Sequence, residues 1–171
     1  MKKIIFTLVV TFSIACHKTG DISLFSIDKA HYHYNRDPKG YSECSNTKLY
    51  NNINPIHNDS NPMNYSSNLV TDSSHFNWLF WYNLHHSDSL KVPNVDFNTQ
   101  SFIWGKVKGN GEKTYIKNSK VLIDKANKKL LLKFLVKNKP GDDIMVLEFG
   151  YVIPVVTSDY EVTIDYWCTN Y

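Results

Sequence analysis

Apolar residues fall into two regimes along this chain. Beyond Phe97 they come in short runs: Phe102-Ile103-Trp104, Tyr115-Ile116, Val121-Leu122-Ile123, then 130–136, 144–153 and 160–167. Turn-forming residues bound these runs, at Gly109-Asn110-Gly111, at 125–128, at Pro140-Gly141-Asp142 and at Thr157-Ser158-Asp159. The last run alternates most clearly, with Tyr160, Val162, Ile164, Tyr166 and Cys168 on one face and Glu161, Thr163, Asp165 and Trp167 on the other. Connections this short favour antiparallel neighbours, because parallel strands need long crossovers. The pattern therefore predicts a mainly β (α+β) fold: an antiparallel sheet of about five strands, curled or folded into a small two-layer sandwich, with one short helix packed against it.

That helix is expected just before the strands. Asp72 or Ser73 can cap it, since a side-chain oxygen there accepts from an otherwise unpaired backbone N–H, and the helical period runs to about His86. Phe76, Leu79, Phe80 and Leu84 fall on one side, and Trp78, Trp81, Tyr82 and His85 on the other. Both sides are apolar, and a helix resting on a sheet needs one such stripe. The second is covered by the preceding loop, by the rest of the domain or by a partner; the residues singled out for partner binding are Trp78, Trp81 and Tyr82. Upstream the pattern weakens. Residues 21–34 read as a weak extended stretch ending in the alternating His31-Tyr32-His33-Tyr34. Residues 36–71, rich in Asn, Ser and Asp and punctuated by Pro38, Gly40, Pro55 and Pro62, read as irregular loop. The expected organisation is a signal segment over 1–15, a tether and irregular polar segment over 16–71, and a helix plus antiparallel β domain over 72–171.

The start of the chain carries an address. Met1, Lys2 and Lys3 precede an uncharged apolar run over 4–15, the layout of a secretory signal and too short to span a bilayer as a helix. The run ends Ser13-Ile14-Ala15-Cys16, which resembles the cleavage site of bacterial lipoproteins, where the cysteine is lipidated and becomes the new N-terminus. The resemblance implies palmitate-type acylation of Cys16 and attachment to the outer membrane, on its periplasmic or surface face. The other reading is an ordinary signal cut elsewhere. Loss of Lys2 and Lys3 would lower the formal charge of +3 by two, so the whole-chain pI of about 8.6 overstates the basic character of a processed chain. Lipidation of Cys16 would leave Cys44 and Cys168, an even pair in an oxidising compartment, for which a disulfide is expected over two unpaired thiols.

Composition narrows the chemistry. At 171 residues the chain can bury one core. No Gly-x-Ser-x-Gly, Walker loop, Cys-x-x-Cys or His-Glu-x-x-His occurs in it. On a strand His31 and His33 would point the same way, with His57, His75, His85 and His86 as further ligands, but two ligands do not make a zinc site, and no metal or cofactor is expected. Asp142-Asp143 sits in a Pro-Gly turn, where acids solvate or cap backbone. Between Lys106 and Lys139 there are eleven lysines against Glu112 and Asp124. They fit either a positive face for an acidic protein or phosphorylated lipid, or solvated edges guarded against aggregation. Nucleic acid is not expected as a partner: Arg36 is the single arginine, and base reading favours arginine. Trp78, Trp81, Trp104 and Trp167 can stack on sugars or pack a core. Nothing in the pattern selects an oligomeric state.

The order of features resembles a known family. Asp72-Ser73-Ser74-His75-Phe76 with Leu79-Phe80, then Pro93-Asn94-Val95-Asp96-Phe97, then a β-rich tail, is similar to bacterial lipoproteins of the Bacteroidetes type whose C-terminal domain is like the B-type component of a protease complex, over residues 72–165. The resemblance implies a non-enzymatic part in assembling a surface protease complex, hence a protein partner. Asp96 reads as a turn or strand-entry residue satisfying backbone donors. The expected function is a lipid-anchored, non-enzymatic interaction or assembly module. A carbohydrate- or lipid-binding envelope module is the alternative, and a metal-dependent hydrolase using His31 and His33 the third.

Overall fold

The computed structural model describes residues 27–51, 53, 68–80, 92–141 and 143–169. In chain order these form α1 (Ile27–Asn35), β1 (Ser42–Glu43), β2 (Lys48–Asn51), β3 (Asn68–Val70), α2 (Ser73–Leu79), β4 (Gln100–Asn110), β5 (Tyr115–Asp124), β6 (Lys129–Lys137), β7 (Ile144–Pro154) and β8 (Glu161–Thr169). The five long strands take up the six apolar runs, Tyr115-Ile116 and Val121-Leu122-Ile123 lying together on β5. They sort into two four-stranded sheets, ordered β1-β5-β6-β8 and β2-β7-β4-β3. The fold is mainly β, with two short helices.

Alternation along the strands explains how the chain is buried on both sides. On β6, Leu130, Leu132, Phe134 and Val136 join Val121 and Ile123 of β5 and Ile103, Val107, Leu147, Phe149, Tyr151 and Ile153 of β4 and β7 in one apolar cluster. That cluster draws on both sheets. The opposite parity of β4 and β7 presents Phe102, Trp104 and Val152 to Phe76, Leu79 and Phe80 of α2 and its C-cap, with Ile53 and Val70. The opposite parity of β6 presents Leu135 to Ala30 and Tyr34 of α1, with Trp167 of β8 beside them. Strands so covered on both faces read as nearly continuous apolar runs, as 149–153 does and as 130–136 does apart from Lys133.

Two glycines are required by geometry. Gly111 turns β4 into β5 at φ 91°, and a Cβ there would stand 2.0 Å from the Lys139 carbonyl oxygen. Gly150 has an ordinary backbone, but a Cβ would meet Phe102 Cζ at 2.6 Å and Ile53 Cδ1 at 2.8 Å. It is small because the aromatic layer under α2 lies directly on it.

Three expectations are corrected. Residues 27–35 are helical, not extended: Ala30 and Tyr34, one turn apart, both face the sheet, and Pro38 follows where the helix has ended. Strands occur within the stretch 36–71 expected to be irregular, and β1 and β2 extend both sheets while Cys44 and Leu49 pack on the shared cluster. Finally, β8 is parallel to β6, from Lys129↔Glu161 to Lys137↔Thr169. The connections are short, but β7 between them belongs to the other sheet, so a whole strand serves as the crossover a parallel pair needs.

Candidate interaction surface

The α2 helix begins where its cap predicts. Asp72 has extended backbone and accepts from the His75 amide at 2.8 Å, satisfying one of the unpaired donors of the first turn. The helix closes at Phe80, whose N–H donates to the Phe76 carbonyl. Its buried face is a ring stack: Phe76 lies 5.1 Å from Phe102 at 88°, 4.8 Å from Phe80 and 5.5 Å from Phe97. Such contacts each contribute about 0.5–1.5 kcal/mol beyond area burial. On the opposite side Trp78 is 63% exposed, with the His75 ring 6.3 Å away. The two sides of the helix have thus separated: Phe76, Leu79 and Phe80 belong to the core and Trp78 to the surface. Trp81, Tyr82, Leu84, His85 and His86 lie outside the described residues, as do Cys16 and His57.

Behind α2, the chain enters β4 through a carboxylate-centred turn. Asp96 Oδ1 accepts from the amide of Asn98 at 3.1 Å and from its Nδ2 at 3.0 Å, and Oδ2 accepts from Thr99 Oγ1 at 2.9 Å. The Asp96 carbonyl takes the N–H groups of Thr99 and Gln100. These donors, the Asn98 amide foremost, hold the Asp96 carboxyl below the ordinary aspartate range. Asp96 is a structural residue at the strand entry.

The most concentrated electrostatics lie on the other sheet, around Lys133, Asp37 and Lys120, which the motifs and periodicity of the sequence do not single out. Lys133, in the middle of β6, is 1% exposed. Its Nζ donates to the carbonyl of His33, in the last turn of α1, at 2.9 Å and to that of Arg36, just past the end of the helix, at 2.7 Å, and lies 3.4 Å from Asp37 Oδ1. An ammonium is thereby placed at the negative end of a helix, where it satisfies acceptors that have no partner in the helix itself. The Trp167 ring stands 5.1 Å from the same ammonium and stacks on His33 at 6.2 Å and 5°. Lys120 joins with a 2.6 Å ion pair to Asp37 and lies over Tyr34. Burial lowers the Lys133 pKa, with Lys120 adding to the effect. Burial works against ionisation of Asp37, but its bonds to Lys120 and the charge of Lys133 hold it below the usual range. Asp165 is pushed up by burial. The available signal was a lysine at the centre of a run of apolar residues, a position where a solvated face would break the strand's burial.

The remaining candidates lie elsewhere. His31 and His33 sit two residues apart on α1, which points them about 200° apart around the axis, so the shared strand face required of a metal pair does not exist. Among the described residues no group of three or more His, Cys, Asp and Glu could hold a metal ion. His75 is exposed on α2. Asp143 is exposed, and its carbonyl accepts from the Gly111 amide at 2.8 Å; Asp142 lies outside the described residues. Cys44 donates its N–H to the Val121 carbonyl beside β5, whereas Cys168 lies on β8, at the opposite edge of that sheet. Three strand spacings of about 4.8 Å separate them, far beyond the reach of a disulfide, so the expected bridge between them is not made in this structure. The Cys168 thiol instead points at the Lys108 carbonyl, 3.7 Å away. Trp104 is core and Trp167 half-buried against α1. No family model, no curated protein and no solved structure matches the chain.

Proposed function

We propose that the chain is a lipid-anchored, non-enzymatic protein of the cell envelope, held through Cys16 and acting as a protein-interaction module, with assembly of a surface protease complex as the role its resemblance suggests. In this reading the two sheets form a two-layer sandwich, supported by the apolar cluster that takes side chains from both. The partner surface is the outer side of α2. The observation that carries it is the exposure of Trp78 on a short helix whose other side is sealed into a ring stack. A tryptophan that the fold itself does not cover is the residue type most enriched where two proteins meet.

The test is replacement of Trp78 and Trp81 together by alanine in the full chain, followed by recovery of the epitope-tagged protein from cells after crosslinking. The reading predicts that partners recovered with the parent protein are lost while the folding transition is retained. An unchanged set of partners, or a variant that unfolds, contradicts it.

A further inference from the structure

At one end of the molecule the β4–β5 turn, the β6–β7 connection and the close of β8 are tied together. Asn138 Oδ1 accepts from the Asn110 amide at 3.0 Å, and the Lys139 N–H donates to the Asn110 carbonyl at 3.0 Å. The Gly111 N–H donates to the Asp143 carbonyl at 2.8 Å, and the Asn138 N–H to the Thr169 carbonyl at 2.9 Å. Among the described residues, two of the five exposed large apolar side chains stand at this end, Ile144 at 59% and Tyr115 at 47%, with Pro140 also exposed. The Lys139 ammonium lies 5.9 Å from the Tyr115 ring centre. An exposed tyrosine, apolar in body and polar at its tip, is a residue type enriched at membrane–water interfaces. At the other end the exposed large apolar side chain is Val155, with the Lys128–Asp159 ion pair in the neighbouring turns.

The chain enters the fold from the same end as the tied turns. Ala30 packs beside Leu135, the His33 and Arg36 carbonyls lie on Lys133, and by Gly40 the chain has reached Asp124, whose Oδ2 would stand 3.5 Å from a Cβ there. The helix α1 therefore runs from the Lys137 end of β6 toward its Lys129 end, and Ile27 lies on the side of the tied turns. Cys16 precedes Ile27 by eleven residues, a reach of at most about 38 Å. That is about the length of β4 itself, roughly 37 Å for its 11 residues. An anchor at Cys16 thus keeps this end near the bilayer, and the far end could meet it only with every intervening residue fully extended along the molecule.

We propose that this end of the molecule rests on the membrane in which Cys16 is anchored, with Tyr115 and Ile144 set among the phospholipid headgroups. The inference rests on the anchored reading above and gives it an orientation. Charge does not carry it, because exposed Lys113 and Lys117 are offset by exposed Glu112 and Asp143; the exposed apolar side chains and the entry point of the chain do. So small an apolar contact would not hold an untethered chain on a bilayer. A short tether raises its effective concentration to about the millimolar range, where a weak contact is enough to orient the domain. The helix α2 packs on Phe102 and Trp104, about 20–27 Å along β4 from Asn110. A chain resting on this end therefore holds Trp78 away from the lipid, where a protein partner can reach it.

The experiment takes the full chain from membranes and places it in phosphatidylcholine vesicles, with a fluorescent residue at position 113 or at position 158, both exposed, and lipids brominated near the headgroup as quencher. Quenching about threefold stronger at 113 than at 158 is expected. Tyr115→Asp combined with Ile144→Asp should bring 113 down to the level of 158, while vesicle association and the folding midpoint stay with the parent. Trp78→Ala should change neither position, so the α2 surface is read separately. Equal quenching at the two positions of the parent chain, stronger quenching at 158, or quenching at 113 that survives the double substitution would each overturn the proposal. The parent comparison decides alone if the double variant unfolds. The mass of the purified chain separates the two levels of the account: a chain with no acyl group on Cys16 removes the anchored reading and this inference together, whereas an acylated, vesicle-bound chain quenched equally at both ends removes this inference alone.

Discussion

Lys133 shows how a single side chain can hold one element in place. Its ammonium is the donor for two carbonyls at the end of α1, His33 within the helix and Arg36 just past it, and burial makes it an uneasy charge whose pKa is lowered. Lys133→Met keeps the volume and removes the charge, but leaves those carbonyls without that donor. A cost of about 1–3 kcal/mol is expected, read by denaturant unfolding, together with faster amide exchange in α1 and little change in β4 and β7. Tyr151 supplies a pH signature. Burial is the main cause of its pKa rising from 10.0 to about 12, against the opposing bond to Ser119. In the window between those values the unfolded chain has lost that proton and the folded chain has kept it, so folding stability must fall as pH rises. Tyr151→Phe is expected to flatten that part of the stability–pH curve, measured by thermal melts across the window. At the acid end the sign reverses: Asp37, Asp96, Asp124 and Asp159 are all held low, and the stability they contribute is lost as pH falls through their folded values. Asp165, held high by burial, opposes them.

At the scale of elements, α2 offers a contrast within two turns. Phe76→Ala should cost about 3–5 kcal/mol, the range for an aromatic removed from a packed core. Trp78→Ala should fall within about 0.5 kcal/mol of the parent, as surface changes do; both are read from the same urea titration. Gly150→Ala tests the close approach from the sheet side and is expected to cost about 1–3 kcal/mol through overpacking against Phe102 and Ile53. What the sequence made legible follows from the range of the forces involved. The strands β4 to β8, the Asp72 cap and the buried face of α2 are written in local alternation and local hydrogen bonding, and were readable. The helix α1 was not, because Ala30 and Tyr34 acquire a face only when Leu135, a hundred residues away, supplies the surface they cover. Likewise β1, β2 and β3, two to four residues each, are too short to show an alternation of their own and are made strands by the long strands they pair with.

Across the whole molecule, the chain passes repeatedly between sheets, and this sets properties that no segment holds alone. The parallel β6–β8 pair depends on β7 lying in the other sheet, and the same ordering places Cys44 and Cys168 on opposite edges. Reductant should therefore leave the folding midpoint of the purified chain unchanged. Of the candidate partner residues, only Trp78 lies in the described structure, where it is exposed; the helical period put it on the second apolar side without deciding what covers that side, and the histidine pair was misread because its strand is a helix. The polar residues prominent in the described structure have structural work: Asp96 shapes a turn, Lys133 closes a helix and Tyr151 ties β7 to β5. The proposed function accordingly rests on the uncovered tryptophan. A photo-crosslinking residue placed at position 78 of the membrane-anchored chain in living cells tests it directly, with position 125 in the exposed β5–β6 turn as control. A discrete adduct with another envelope protein, formed from 78 and not from 125, is the predicted result. Adducts within the chain alone, or the same adducts from both positions, would contradict it.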